Sequence, residues 1–208
     1  MFYLSKKDQL TSSARDFLSR ERIAILPAEQ AKPARYRLLR GGYLEEKPEH
    51  LTHLNGEFLV PKTHPRILFR GKLDTLEAEL ILCQQAAAHL AAPVGEILVL
   101  ARMLIRCDVL EEPVPAEKLC GLTEAEIRKH SHVPQDYYGQ PHFMPGVEDG
   151  EVIARLNRAR CAAREAELAA VTAFSDREGN PTRPDILRSL NRMSSMLYLL
   201  MIQEKSKK

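Results

Sequence analysis

The sequence predicts an all-α fold, a four- to five-helix bundle, carrying a small α+β or extended N-terminal arm. Three observations predict it. After His50, apolar residues recur at alternating three- and four-residue steps along three long segments, the period of one helical face, and a fourth long segment is apolar almost all round. Proline and capping residues stand where those segments begin or break. The first 50 residues lack the period and hold short apolar runs beside basic residues. The expected division is therefore an arm, 1–50, and a bundle domain, 51–208.

In the arm, 11–18 reads as a short helix and 23–26 as a short strand. A basic stretch follows, Lys32, Arg35, Arg37 and Arg40, interleaved with Tyr36, Leu38 and Leu39 and ended by Gly41 and Gly42. It is open to three readings: a solvated face, a docking segment, or a set of phosphate contacts. Pro65 opens the first long helix, 66–92, with Leu73, Leu76, Leu80, Cys83, Ala87 and Leu90 on one face. Pro93 is expected to interrupt it. The second helix, 95–112, is apolar almost all round and so belongs at the centre. Thr123 and Glu126 form a capping-box pattern for a short third helix to about 130. A loop from 131 to 150, rich in Pro, Gly, Tyr and His, is long enough to suggest a function. The fourth helix, 148–175, lines its core face with Ala159, Ala163, Ala166 and Ala170, which permits close approach of neighbours. Thr182 is expected to cap the last helix, with Pro184 in its first turn and Asp185 completing a capping box.

Composition excludes several classes. Hydrophobic residues at 44% and charged residues at 28% fit a soluble protein with a core. Thirty Lys and Arg against 28 Asp and Glu leave a net charge of +2, with no global drive toward nucleic acid or an anionic membrane. The four cysteines, Cys83, Cys107, Cys120 and Cys161, form no C-x-x-C pair, which argues against a zinc ribbon, a redox motif or a disulfide framework. Lys6, Lys7 and Asp8 precede any long apolar run, so no secretory signal is expected. No stretch is read as reaching the ~18 apolar residues of a membrane span. The expected location is cytoplasmic.

Certain polar groups sit where a bundle has no need of them. Arg160, Arg164 and Glu167 lie at i, i+4 and i+7, on a stripe beside the alanine stripe. Two arginines one turn apart can clamp a triphosphate, since guanidinium offers a planar donor fork. The same spacing suits an exposed Arg–Glu ladder. Asn191, between Leu190 and Met193, shares a stripe with Leu187, Ser194 and Tyr198. It reads either as a partnered structural amide or as a contact to a ligand's sugar or base. Asp74, early in the first long helix, suits the helix dipole. Lys62, His64 and Arg66 lead into that helix and make a candidate phosphate site, although no Walker A loop or G-x-G-x-x-G is present. His50, His53 and His64 match no zinc template.

Taken together these positions resemble the PduO-type ATP:cob(I)alamin adenosyltransferases, and most closely the ethanolamine-utilisation (EutT-type) branch. The family's lysine, Pro-Arg-Ile, glycine and aspartate appear as Lys62, Pro65-Arg66-Ile67, Gly71 and Asp74. Its arginine-helix pattern appears as Leu156-Asn157-Arg158-Ala159-Arg160, followed by Arg164 and Glu167. Its Leu-Asn-Arg pattern is Leu190-Asn191-Arg192, and its Pro-Gly loop looks like Phe143-Met144-Pro145-Gly146. The sequence departs from the family in three places. Asn55-Gly56-Glu57 stands where the family has a glycine-rich phosphate loop. The cysteine metal motif of some ethanolamine-type members is absent, so no structural zinc or iron is expected. The Pro-Gly loop is longer, so either His142 or Phe143 takes the place of the family's phenylalanine.

The resemblance implies a transfer of the 5′-deoxyadenosyl group of ATP to the cobalt of cob(I)alamin. It implies Asp74 and Arg160 as catalytic residues, paired with each other. It implies Lys62, Arg66, Arg164, Glu167 and Asn191 at ATP and its Mg²⁺, and Phe143 or His142 at the lower corrin face. It implies a homo-oligomer, a trimer by analogy, with a cobalamin reductase and ethanolamine ammonia-lyase as partners. Association with a bacterial microcompartment also follows from it, and neither nucleic acid nor membrane is an expected partner. The alternative is a non-catalytic helical module that binds corrinoid or nucleotide, or docks other proteins.

Overall fold

The computed structural model describes residues 2–5, 7–30, 36–116 and 118–207. The chain divides into two compact units, Met1–Pro61 and Lys62–Lys208.

The first unit holds six short strands, one α-helix and one turn of 3-10 helix (Ala28–Gln30) among the described residues. Strand β1 (Phe2–Leu4) pairs in parallel with β2 (Ile25–Pro27). Helix α1 (Ser12–Arg20) lies between them in sequence, and the Thr11 hydroxyl caps it by accepting the Ala14 amide at 3.2 Å. A second sheet has the order β4–β3–β6–β5, built from β3 (Tyr36–Leu38), β4 (Tyr43–Leu44), β5 (Leu51–His53) and β6 (Phe58–Pro61). Gly41 and Gly42, both near φ +90°, supply the turn between β3 and β4, where a side chain would be strained. The chain is therefore not purely all-α. Runs of three or four residues flanked by turns bury side chains only by pairing as strands, being too short to close a stable helix.

The expected boundary at 50/51 falls just ahead of the β5–β6 hairpin, and β6 also pairs with β3. Of the basic stretch, Lys32 and Arg35 lie outside the described residues. Arg37 is exposed on β3, with its guanidinium 4.7 Å from the Phe58 ring centre, and Arg40 lies in an exposed turn.

The second unit is helical: α2 (Pro65–Ala86), α3 (Ala91–Leu110), α4 (Glu124–His132), α5 (Pro134–Tyr138), α6 (Gly150–Ala173) and α7 (Pro184–Lys205). Helix α2 packs against α3 and α6, α6 against α7, and α4 against α7. The core runs from Phe69, Leu73, Leu76 and Leu80 through Ile97, Ala101 and Leu104 to Ile153, Leu156, Leu190 and Leu197, all fully buried. Ala159, Ala162, Ala163, Ala166 and Ala170 are buried along α6, and their small side chains let α2 and α7 approach it closely.

Four local expectations differ, the first being that the segment 131–150, read as a loop, holds the short helix α5. The break after α2 comes at Ala87, with φ −151° and ψ 102°, and not at Pro93. Pro93 sits in the first turn of α3, where its missing N–H has no helical partner to lose. The capping box predicted for α7 does not form. Asp185 turns instead to Arg183 and to the Val114 amide, and the Thr182 hydroxyl donates to the Phe174 carbonyl at 2.9 Å. The segment Ala88–Leu110 is long and apolar enough by length and composition to cross a membrane, contrary to the reading of the sequence. In the fold, its Val94, Ile97, Ala101 and Leu104 are buried in the helical core. The box at α4 forms as expected: Thr123 Oγ1 accepts the Glu126 amide, and Glu126 accepts the Thr123 amide at 2.8 Å.

Candidate functional site

Helix α6 presents Asn157, Arg160, Arg164 and Glu167 on one face, at steps of three and four residues. Opposite stands the α7 stripe of Asn191 and Tyr198, two turns apart and so about 10 Å along the helix. The two faces meet where the Asn191 amide donates to Glu167 Oε1 at 3.1 Å. Arg192 donates to the Asn191 oxygen at 2.8 Å, so the amide is held at both ends. Arg160 is half-buried and donates to Asn157 Oδ1 at 3.1 Å. Arg164 is exposed and forms no ion pair among the described residues. The exposed ladder that this spacing also suited forms on the next stripe instead. There Arg158 pairs with Glu79 and Glu165, and Lys72 pairs with Glu165. Arg160 and Arg164 are thus left out of it.

The loop after α5 is tied down at two points. Tyr198 lies 3.0 Å from His142 Nδ1, and its oxygen accepts the Phe143 amide at 3.2 Å. His142 Nε2 lies 3.2 Å from the His132 carbonyl, which can only accept. In the neutral imidazole Nε2 therefore carries the proton, and the Tyr198 hydroxyl donates to Nδ1. The second tie is Asp149, buried at the start of α6. It accepts the Gly146 amide at 2.8 Å and the Lys205 ammonium. The Lys205 ammonium also stands 5.5 Å from the Phe143 ring centre. Phe143 is half-buried against the bundle, whereas Met144 and Val147 are 90% and 98% exposed.

The start of α2 is arranged differently from the sequence reading. Lys62 is exposed. His64 caps the helix, its Nδ1 accepting the Arg66 amide at 3.2 Å. Arg66 turns to α3, donating to Asp108 Oδ1 at 2.7 Å, to the Asp108 carbonyl at 2.6 Å and to Glu111 at 3.2 Å. Arg70 donates to the other Asp108 oxygen at 2.5 Å. Asp108 is fully buried, and two guanidinium groups compensate its lost hydration. Asp74 is exposed, and no hydrogen bond or ion pair joins it to Arg160. It lies about 200° round α2 from Lys72, at 100° per residue, while Lys72 is on the edge that meets α6. Arg160 lies on the opposite, α7-facing side of α6 from that edge.

Asn55 Oδ1 accepts the amides of Glu57 and Phe58 at 3.1 and 3.0 Å, closing a tight turn between β5 and β6. Sequence reasoning missed the Asp108 clamp, the Asp149–Lys205 tie and the role of Tyr198. For Tyr198 a signal existed, since it shares the Asn191 stripe. The other two join residues 38 to 56 positions apart and leave no local pattern.

Residues 42–204 match the family model described as cobalamin adenosyltransferase. The chain belongs to the cobalamin adenosyltransferase family. It is 37% identical over 158 residues to the corrinoid adenosyltransferase EutT of Salmonella typhimurium, and 36% identical to that of Escherichia coli K12. Each match covers 76% of this chain and 59% of the relative, so the chain spans about three-fifths of the length of these relatives. It is also 32% identical to the corrinoid adenosyltransferase PduO of Salmonella typhimurium, over 71% of this chain and 44% of that protein. The fold is shared with a variant of the PduO-type ATP:corrinoid adenosyltransferase of Lactobacillus reuteri complexed with cobalamin and ATP. The TM-score is 0.59 at 16% identity, covering 76% of this chain and 91% of the other.

Proposed function

We propose that this chain is an ATP:cob(I)alamin adenosyltransferase serving ethanolamine utilisation. The observation that carries the reading is the α6–α7 seam, where Arg160 and Arg164 stand free of the surface ladder beside a Glu167–Asn191 bridge. In this reading Arg160 and Arg164 hold the triphosphate with its Mg²⁺. Glu167 and Asn191 contact the nucleotide, and Lys62 adds a phosphate contact. Cobalt(I) attacks the 5′ carbon; the Co–C bond forms as the C5′–O bond breaks, and its electron pair leaves on triphosphate. The two arginines stabilise that departing charge. No side-chain nucleophile is required.

Arg66, already donating through all three guanidinium nitrogens, orders the start of α2 in this proposal. Phe143 covers the lower corrin face. Both ring nitrogens of His142 are engaged, which supports His142 as the group that holds Phe143 in place. Asp74 and Arg160 face away from each other in one chain, which supports their pairing between chains of a homotrimer. Exposed Leu68 and Leu168 are apolar surface of the kind such a contact covers. A cobalamin reductase supplies the reduced corrinoid, and ethanolamine ammonia-lyase receives the product. The proposed location is the cytoplasm, in association with a bacterial microcompartment.

The test is to mix the folded protein with chemically reduced cobalamin, ATP and Mg²⁺ and to follow the absorbance change to adenosylcobalamin. Formation of the product supports the reading; none, from folded protein, refutes it. One observation favours a second reading, a binding module without turnover: the self-closed Asn55 turn where the family carries a phosphate loop. Calorimetric binding of ATP or cobalamin without product would select it.

A further inference from the structure

A pocket of about 480 Å³ opens between α3, α4 and α7, and none of the residues assigned above to ATP or corrinoid lines it. Its volume lies in the range of small-molecule sites. Val99, Leu100, Met103 and Ile127 make its walls apolar, and Ser189 and Arg192 bring polar groups from α7.

Arg192 is the unusual member. Its Nη2 donates to Asn191, and its other guanidinium nitrogens have no hydrogen-bond partner among the described residues. The side chain is partly buried, and burial, then nearby Arg128, pushes its pKa below the usual range. Arg188 adds to that repulsion, while Glu124 and Glu167 oppose it. Of the other charged groups on the lining, Lys118 is an exposed second cation, Glu96 is engaged by the Cys120 amide at 2.6 Å, and Glu124 reaches Arg188 at 3.9 Å. A partly desolvated cation with unfilled donors, beside apolar walls, lacks an anion that carries an apolar body.

We infer that this pocket is a second ligand site, separate from the nucleotide seam, which takes a small amphipathic anion. The anionic group meets Arg192, and the apolar body lies along Val99, Leu100 and Met103. One hydrogen bond, Arg192 to Asn191, separates the site from the seam.

The probe is 1-anilinonaphthalene-8-sulfonate, titrated by fluorescence into the full chain. Its uncharged analogue, N-phenyl-1-naphthylamine, lacks the sulfonate and serves as the control. The expected result is saturable binding of one sulfonate probe per chain, at least tenfold tighter than the neutral analogue. Met103→Trp fills the pocket and abolishes that binding, Val99→Trp at the more exposed rim weakens it, and Arg192→Gln removes the preference for the anion. Folding of each variant is checked by circular dichroism. Equal affinity for the two probes, binding that does not saturate, or binding unchanged in the folded tryptophan variants overturns the proposal. Displacement of the probe by ATP in simple competition also overturns it, by placing the probe in the nucleotide site. None of these readouts depends on adenosyl transfer, so the outcome is independent of the function proposed above.

Discussion

The Tyr198 hydroxyl lies 3.0 Å from His142 Nδ1 while accepting the Phe143 amide, so one side chain of α7 sets two consecutive residues of the loop. The rings of His142 and Tyr198 stack at 5.7 Å, which adds an apolar contact to the polar one. This arrangement presents Phe143 from a rigid helix and not from a free loop.

Removing that hydroxyl separates position from fold. Tyr198→Phe keeps the ring stack but leaves the Phe143 amide and His142 Nδ1 without their partner. The expected stability loss is about 1 kcal/mol, measured by urea denaturation. Adenosyl transfer is expected to fall by more than that loss of folded protein explains. Unchanged transfer would show that the loop needs no tie.

Arg160→Ala and Arg164→Ala are expected to leave the melting temperature nearly unchanged, because neither guanidinium compensates a buried charge. Each is expected to lower kcat about 10²–10³-fold, as when a donor to developing charge is removed. Steady-state kinetics with ATP varied gives the measurement. A change in KM alone would place the arginine in ground-state binding only.

Asp108→Ala leaves Arg66 and Arg70 facing a buried void without their carboxylate. Breaking a buried pair on one side costs about 3–5 kcal/mol, to be read from chemical denaturation. Arg158→Ala, in the exposed ladder, is the comparison and is expected to leave the denaturation midpoint nearly unchanged.

Acid is expected to weaken the start of α7. Arg183, and then the Val114 amide, hold the Asp185 carboxyl down at about 2, below its ordinary value. A carboxyl lowered by folding stabilises the native state fully above its unfolded pKa, near 4, and loses that contribution as pH falls toward 2. The stability gap between the native chain and Asp185→Asn should therefore be constant from pH 5 to 7 and close between about pH 4 and 2. Denaturation curves over that range decide it; a gap that widens in acid contradicts the assignment.

Much of the second unit was legible from apolar spacing alone, because a helix repeats its buried face every three or four residues whatever lies beyond it. Leu73, Leu76 and Leu80 in α2, and Leu190, Met193 and Leu197 in α7, are buried as their spacing requires. The Thr123–Glu126 box was legible because it is local. The box at Asp185 failed because Val114, 71 residues away, draws on the same carboxylate. Arg66 shows the same limit. Its position before a helix suggested phosphate, and the fold hands it to Asp108.

The sequence by itself determined the helical periods, the stripe carrying Arg160, Arg164 and Glu167, and the motif order that marks the family. These are properties of neighbours along one chain, and helix geometry converts them directly into faces. The tertiary structure alone decided which arginines remain free, which face Asp74 occupies, and that Tyr198 and Asp149 anchor the loop around Phe143. Those outcomes depend on competition among polar groups far apart in sequence for a few buried partners. A carboxylate such as Asp108 is satisfied by whichever guanidinium the packing of α2 on α3 brings within reach.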